Sequence, residues 1–476
     1  MSDMNRKNGL LSRYIGDRAF YKATLAVFLP IMLQNGITNF VGLLDNIMVG
    51  QIGTEQMTGV AIANQLMAIF NLCIFGGLSG AGIFGAQYFG QKNDEGARYT
   101  IRFKIWICIG LLAIFTAVFL IFREPLIRLF LSEEGDKVGD LDATLRYSSD
   151  YLNIMIIGMY PFALSQIYST FLREDKETLL PMIASTTAVL TNLFFNYVLI
   201  FGHFGAPAMG CIGAAVATLI SRVVEVCIVV VVPHLKTAKY TVLKGLYRSL
   251  RIPKNLVKKM TVTSFPLLLN EALWSLAITV VMQCYSVRGL AAVAAVNICG
   301  TVANLFNIFF FACGASISII VGQLLGAGKI EEARDTDRKL IAFAAAGSVV
   351  TGLLLAASSP FIPKIYNTAD SVRTLATQMM LVLAASMPIH AFNHSCYFTM
   401  RSGGQTVITF FFDSVYTWIV NVTLAFTLSR FTDMPIVWIY FCIQFSEIIK
   451  TFIGGYLVHK GVWAHNVVGT PQEDIT

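Results

Sequence analysis

Hydrophobic residues lie along this chain in long, nearly unbroken blocks, with polar residues gathered into the short stretches between them. A helix crossing the hydrocarbon of a bilayer needs about 20 apolar residues. About twelve blocks meet that length, beginning near Thr24, Met57, Ile101, Tyr151, Leu180, Met209, Met260, Ala291, Lys339, Val372, Thr406 and Pro435. The second and eighth exceed one crossing and are expected to tilt or bend. Both hold small residues, in FGGLSGAGIFG and FACGASISIIVG, that permit close helix contact. A transmembrane barrel would instead alternate over about ten residues per strand. The expected fold class is an all-α polytopic membrane protein.

The polar stretches carry a direction. Lys and Arg concentrate in alternate connections, which by the positive-inside tendency places both termini in the cytoplasm. Arg222 and Lys450 are the basic residues assigned to the interior of blocks. The strongest basic stretch, HLKTAKYTVLKGLYRSLRIPKNLVKK, joins the sixth and seventh blocks near the middle of the chain. It reads as a topology signal and solvated linker, with anionic-lipid or regulatory binding as the sharper alternative. On either side of it the chain repeats. Pro30–Arg98 aligns without gaps with Pro266–Arg334, pairing Pro30 with Pro266, Gly53 with Gly289 and AQYFGQKNDEGAR with GQLLGAGKIEEAR. Both copies start from the same side, so the repeat is parallel, with its axis along the membrane normal. The expected organisation is a cytoplasmic segment 1–22, a six-helix lobe 23–235, a basic cytoplasmic linker 236–259, and a second six-helix lobe with a short tail, 260–476.

Composition agrees with this class. Hydrophobic residues make up 55% of the chain and charged residues 13%, about half of what soluble domains carry, and mean hydropathy is +0.65. The net charge of +7 sits in short loops and does not point to nucleic acid. The polar, basic start shows no small-residue cleavage site of a signal peptide. Nine cysteines lie mostly within blocks at no metal-binding spacing, and read as buried inert thiols. Phosphate-binding, hydrolase and zinc-protease signatures are absent from the sequence, so any work comes from an ion gradient or the membrane potential and not from an enzymatic step or a cofactor.

Polar residues inside the blocks then become informative, because a charge at membrane depth costs about 3 kcal/mol or more. In the first block Gln34, Thr38 and Asp45 share one helical face. In the fifth, Asn192 and Asn196 stand one turn apart. In the sixth, Thr218, Ser221, Arg222 and Glu225 form one stripe. Asp45, Asn192, Asn196 and Thr218 fall at matching depths, and a carboxylate with amide and hydroxyl oxygens suits Na⁺ or a proton. A hydrogen-bonded core network around Asp45 is the alternative. In the second half Asp45 aligns with Val281, while Glu271 appears in the seventh block with Ser275 and Thr279 along its face. Glu271 is a candidate for proton or cationic-substrate contact, and Gln34, Thr38 and Ser275 are candidate cavity residues. Asp413, Thr417 and Asn421 form a further stripe, with Asp413 expected in a helix-start or interfacial role. Arg222 and Glu225 align with Glu447 and Lys450 with signs exchanged, and each pair is expected to neutralise itself. His390 and His394 are four apart, but nothing nearby completes a metal site, so they read as cavity lining or packing.

The residues in this order resemble the multidrug and toxic compound extrusion (MATE) family of secondary transporters, over nearly the whole chain. The resemblance rests on LLDNIMVGQIG around Asp45, the Asn192–Asn196 pair, GAAVATLISRVVE from Gly213 to Glu225, and RSGGQT from Arg401 to Thr406. It implies a V-shaped two-lobe transporter that exports small organic cations in exchange for inward Na⁺ or H⁺, in a cell membrane and as a monomer. It also implies that Asp45, Asn192, Asn196 and Thr218 form a cation site in the first lobe. Two positions depart from the pattern. Some members carry an acid where this chain has Asn196, and Glu271 lies nearer Pro266 than the family's seventh-span glutamate lies to its proline. The same lobes also occur in flippases of lipid-linked anions, which need cations facing the cavity. A major-facilitator transporter shares the six-plus-six plan but not the fifth- and sixth-span motifs.

Overall fold

The structure, a computed structural model, describes residues 13–130, 140–366 and 368–469. Residues 1–12 of the expected N-terminal segment and the end of the tail from 470 lie outside the described residues. Among the described residues the fold is helical, with no strand, and twelve helices are long and apolar enough to cross a membrane. In the first half these are α1 (Arg18–Gly50), α2 (Thr54–Gly90), α3 (Asp94–Ile121), α4 (Leu141–Glu174), α5 (Leu179–Phe201) and α6 (Cys211–Leu235). In the second half, α7 (Lys254–Ser286) is followed by the shorter α8 (Leu290–Phe306), then α9 (Ile308–Gly326), α10 (Ile330–Ser358), α11 (Asp370–Ser402), α12 (Thr406–Phe431) and α13 (Ile436–Lys460).

Several helices start well before their apolar block. A hydrogen-bonded helix propagates into polar turns wherever its first amides are satisfied. α3 opens on Asp94 and Glu95 and α10 on Glu331 and Glu332, acids that suit a helix N-terminus. α4 is capped by Asp140, whose carboxylate accepts from the amides of Asp142 (2.9 Å) and Ala143 (3.2 Å). The two long blocks behave differently. The second stays one helix of 37 residues, about 55 Å long. The eighth breaks at Asn307 into α8 and α9.

The helices gather into two compact units, which do not follow the halves of the sequence throughout. The first unit holds Leu33–Gly85 and Asp94–Lys258, and the second holds the chain up to Met32, Ala86–Asn93 and everything from Lys259. α1 is thus divided just after Pro30, which has no N–H to give to the helix ladder. Its first turns join the second unit through apolar packing. Val27, Phe28 and Ile31 are buried against Ala312, Cys313, Ile319 and Ala344, and Phe28 meets Phe309 and Phe343 edge-on at 5.3 and 5.6 Å.

The end of α2 joins the second unit through a reciprocal crossing with the end of α9. A Cβ on Gly90 would lie 2.0 Å from the Gln323 carbonyl oxygen, and a Cβ on Gly326 would lie 1.9 Å from that of Gln87. These four residues are equivalent under the sequence repeat, so each copy supplies one glycine and one carbonyl. The Gln87 side chain, fully buried, donates to the carbonyls of Ser402 (3.1 Å) and His465 (3.3 Å) and accepts from the Val467 amide (2.8 Å). The RSGGQT motif receives the same tail. The Trp463 carbonyl oxygen stands 1.6 Å from where a Cβ on Gly403 would be, and Gly404 takes a φ of +79°.

In the first unit α6 packs between α4 and α5, and α3 lies on α4. Gly213 lets α6 approach α5 until a Cβ there would be 2.6 Å from the Leu199 carbonyl oxygen. In the second unit α11 is central and touches α8, α9, α10 and α13. α6 and α12 contain π-helical turns, at Cys227–Val231 in the one and at Phe411–Val415 and Thr417–Val422 in the other, and such turns re-aim the side chains that follow.

The basic linker is not a solvated strand of chain. Arg102 of α3 donates to the carbonyls of Leu246 (3.1 Å), Gly245 (3.1 Å) and Arg251 (3.3 Å), and the Trp106 indole to Leu250 (3.1 Å). Val242, Leu243 and Leu246 are buried beneath it, while its lysines and arginines stay exposed. Three short apolar side chains and one guanidinium fork therefore hold the segment against the first unit, where composition alone suggested a loose connection.

Replacing Gly326 by valine puts branched carbons into a backbone carbonyl that has no room to retreat. The expected result is a loss of about 3 kcal/mol or more, read as a large drop in folded, monodisperse protein and in its thermal midpoint. Gly300→Val, in α8 with open space beside it, is expected to leave both nearly unchanged.

Candidate functional site

Close packing of α5 on α6 sets the polar cluster of the first unit. Asn192 donates to the Thr218 hydroxyl (3.2 Å), Asn196 donates to the Asn192 side-chain oxygen (3.1 Å), and Asn196 also donates to the Asp45 carboxylate at short range. Tyr151 of α4 hydrogen-bonds to the Asn64 oxygen of α2 (3.3 Å) and touches Thr218. Five helices thus converge on one chain of polar groups. The structure brings Asp45, Asn192, Asn196 and Thr218 together. It adds Tyr151 and Asn64, which the spacing along the sequence did not single out.

Two features make this cluster chemically open. The amide of Asn196 is the polar partner of Asp45, and no lysine or arginine among the described residues pairs with it. The Asn196 side-chain oxygen is buried and has no hydrogen-bond partner, with the residue 0% exposed. A buried orphan acceptor costs about 1–3 kcal/mol, and a carboxylate beside it adds a negative charge. Both deficits are met by a small cation, or by a proton on Asp45 that can donate. A shallow groove of about 570 Å³ runs beside the cluster along the ends of α1 and α5, lined by Met48, Gln51, Leu193, Phe194 and Tyr197 among others.

The rest of the first-block stripe goes elsewhere. Gln34 stands about 16 Å along α1 from Asp45 and accepts from Arg173 of α4 (2.7 Å). Thr38 is exposed. The members of this stripe meet different neighbours because Gln34 and Asp45 lie three turns apart. Arg222 pairs with Glu225 at 3.1 Å and lies over the Phe162 ring at 4.9 Å.

A further ion pair lies in the first unit. Lys104 of α3, fully buried, meets Glu174 of α4 at 2.6 Å and Thr170 at 3.3 Å. Its cradle is made by Gly82 and Gly85 of α2, since a Cβ on Gly85 would lie 2.1 Å from a Glu174 oxygen. Lys104 stands three residues into the block that begins near Ile101, yet only Arg222 and Lys450 were assigned to block interiors. The observed helix begins a turn and more earlier and carries the lysine inward.

In the second unit Glu271 is not an isolated acid. It hydrogen-bonds to Tyr397 and lies within electrostatic reach of Arg401, both on α11. Ser275 and Thr279 of the same stripe are exposed. Asp413 is not at a helix start. It sits on the π-helical turn of α12 and pairs with Lys450 at 2.8 Å, nearer than Glu447 does at 3.7 Å. Asn270, Asn393 and Asn421 donate to these two carboxylates. His390 bonds to Gln444 (2.6 Å), while His394 is ringed by Phe310, Phe311 and Phe398. No cluster of three or more His, Cys, Asp or Glu that could hold a metal occurs among the described residues. Most cysteines are buried, but Cys227 is exposed.

The Lys104–Glu174 pair yields a direct test. Lys104→Met alone takes the ammonium away from a buried carboxylate and is expected to cost about 3–5 kcal/mol. Lys104→Met with Glu174→Gln is expected to recover most of that loss, read from thermal midpoints as a strong positive coupling. Additive losses would show that the two groups do not interact.

Known proteins share this arrangement. The MatE family model matches residues 30–198 and 266–427, one block in each half. The chain is 23% identical over 452 residues to a probable multidrug resistance protein NorM of Thermotoga maritima, covering 95% of each. It is 25% identical to the probable multidrug resistance protein YoeA of Bacillus subtilis, over 91% of this chain and 93% of that one. Among solved structures, a Vibrio cholerae MATE transporter, VcmN carrying a D35N mutation, superposes with a TM-score of 0.83 at 17% identity, covering 94% of this chain and 98% of its own. An outward-facing multidrug resistance MATE family transporter of the MOP superfamily does so at 0.82 and 16%, covering 94% and 96%. With matches in both halves and a shared twelve-span helical fold, the chain belongs to the MatE family, the multidrug and toxic compound extrusion transporters of the membrane.

Proposed function

We propose that this protein is a secondary antiporter that exports small organic cations in exchange for inward Na⁺ or H⁺. The observation that carries the reading is the Asp45 cluster. A half-buried carboxylate is partnered by amide alone and stands beside a buried amide oxygen with no partner. Such a site gains most from a cation or proton that arrives and leaves. The relatives named as probable multidrug resistance proteins support drug-like cargo. Exchange follows if ion binding at Asp45 favours one arrangement of the helices and cargo the other, since coupling needs differential affinity for two states. Pro30 and the division of α1 beside it offer a place where such a change is cheap.

The reading includes a plasma-membrane location, cytoplasmic termini and a monomer. The basic linker on the first unit supports that orientation, because its exposed lysines and arginines suit the cytoplasmic face. A flippase for lipid-linked anions is disfavoured. Lys104, Arg222 and Lys450 each have a carboxylate partner and are not left free to meet an anion.

Efflux of ethidium from loaded cells, wild type against Asp45→Asn, tests the proposal, with Na⁺ and pH varied separately. Wild-type expression is expected to accelerate efflux under one of the two gradients. Asp45→Asn is expected to cut the rate at least tenfold at equal membrane abundance. A mutant that transports like wild type under both gradients would make Asp45 structural.

A further inference from the structure

The second unit contains a polar network built around two carboxylates, which shares one amide position with the Asp45 cluster. An offset of 225 residues that aligns Arg222 and Glu225 with Glu447 and Lys450 also aligns Asn196 with Asn421 and Ser221 with Ser446. In the second unit these residues surround two carboxylates. Asp413 gives one oxygen to Lys450 (2.8 Å) and the other to the Asn270 amide (3.1 Å). Glu447 accepts from Asn421 on one oxygen (2.8 Å) and from Asn393 on the other (3.1 Å), which also faces Lys450 at 3.7 Å. The Lys450 ammonium lies over the rings of Phe412 (5.1 Å) and Tyr416 (5.7 Å). Asn270 is 1% exposed and Lys450 7%. Of the titratable groups around this network, His390 lies within reach of Glu447, His394 of Asp413 and Lys450, Tyr416 of Glu447 and Lys450, and Glu271 and Tyr397 of Asp413.

Two acids, three amides and two aromatic faces make an oxygen-rich setting of the kind that takes a small monovalent cation. Here a cation is already present, on a four-carbon tether. One ammonium against two carboxylates leaves the network short of positive charge, and the amide donors of Asn270, Asn393 and Asn421 make up the difference. Under the same offset Glu447 and Lys450 correspond to Arg222 and Glu225, so the matching place in the first unit also holds an ion pair, while Asp45 has no equivalent in this network.

We propose that Lys450 is a tethered substitute for a monovalent cation, so that the second unit carries its own fixed cation, at positions not equivalent to the Asp45 site of the first. Removing the amine converts the network into a binding site for a small free cation. The inference rests on the reading of Asp45 as the exchangeable site only for its comparison between the units. Its test is made in Asp45→Asn protein and reads stability, not transport, so the two can fail separately.

The full chain is purified as Asp45→Asn and as Asp45→Asn with Lys450→Met. Folded yield and thermal midpoint are compared at pH 8 in Na⁺, K⁺, Li⁺ or methylammonium chloride against N-methylglucamine chloride at equal ionic strength. At this pH protons compete less with a free cation for the two carboxylates than at neutral pH. The expected result is a saturable rise of several degrees in at least one small cation for the Lys450→Met protein, and no such response in Asp45→Asn alone. Adding Asp413→Asn is expected to remove most of the gain. Lys450→Ala, with space for the lost stem, is compared in the same salts and in n-propylammonium chloride. The rank order among the ions identifies the cation preferred. If neither variant gains yield or stability from any of these ions over N-methylglucamine, because it is unresponsive or is never recovered folded, the proposal is overturned. It is also overturned if Asp413→Asn leaves the response intact.

Discussion

A polar group buried inside a membrane protein has no water to fall back on, and the arrangement of this molecule follows from meeting that need. Backbone groups are met by the helices themselves. Side chains must be met by other side chains, and these have to be carried to one place by different helices. Lys104 and Glu174 come from α3 and α4, Lys450 and Asp413 from α13 and α12, and Asn393 and Glu447 from α11 and α13. Each such pair ties two helices in a register that apolar packing alone would leave loose.

Close approach makes these pairings possible, and it depends on missing side-chain atoms. Gly85 leaves room for a Glu174 oxygen, Gly213 lets α6 settle on α5, and Gly90 and Gly326 let two helix ends cross on each other's carbonyls. The reciprocity of that last crossing records the repeat more directly than sequence identity does. It also explains why residues 86–93 pack with the second half of the chain. Their glycine and carbonyl complete a contact whose other half lies on α9, and Gln87 then reaches the tail beyond α13.

Against this background the two halves have taken different courses. In the second, Asp413 and Glu447 share Lys450 and accept from one and two amides in turn, a network with little left to gain from solvent ions. In the first, Asp45 and the Asn196 oxygen are left in deficit. Duplication supplies two similar bundles, and the placement of single charges decides which of them responds to an ion. The deficit is tolerable because its cost, about 1–3 kcal/mol for an orphan acceptor, is small against the total packing of a bundle.

Much of this was legible along the chain. Block length set the helical membrane class, the gapless repeat set two copies of one plan, and helical spacing set which polar residues share a face. Asp45, Asn192, Asn196 and Thr218 were found because a charge or amide deep in an apolar block is rare and has a cause. Spacing speaks only for residues on one helix within a turn or two. It put Gln34 on the face of Asp45 but not three turns away against Arg173. It paired Lys450 with Glu447, its neighbour on the helix, and missed Asp413, which a π-helical turn brings closer from α12. It passed over Lys104 near the start of the third block, whose partner Glu174 lies 70 residues away. Local hydrophobicity and periodicity were enough to decide what each helix is and which way its faces point. Which helices meet, at what depth, and which charge answers which acid depend on contacts between residues far apart in sequence, and those were settled only when the bundle packed.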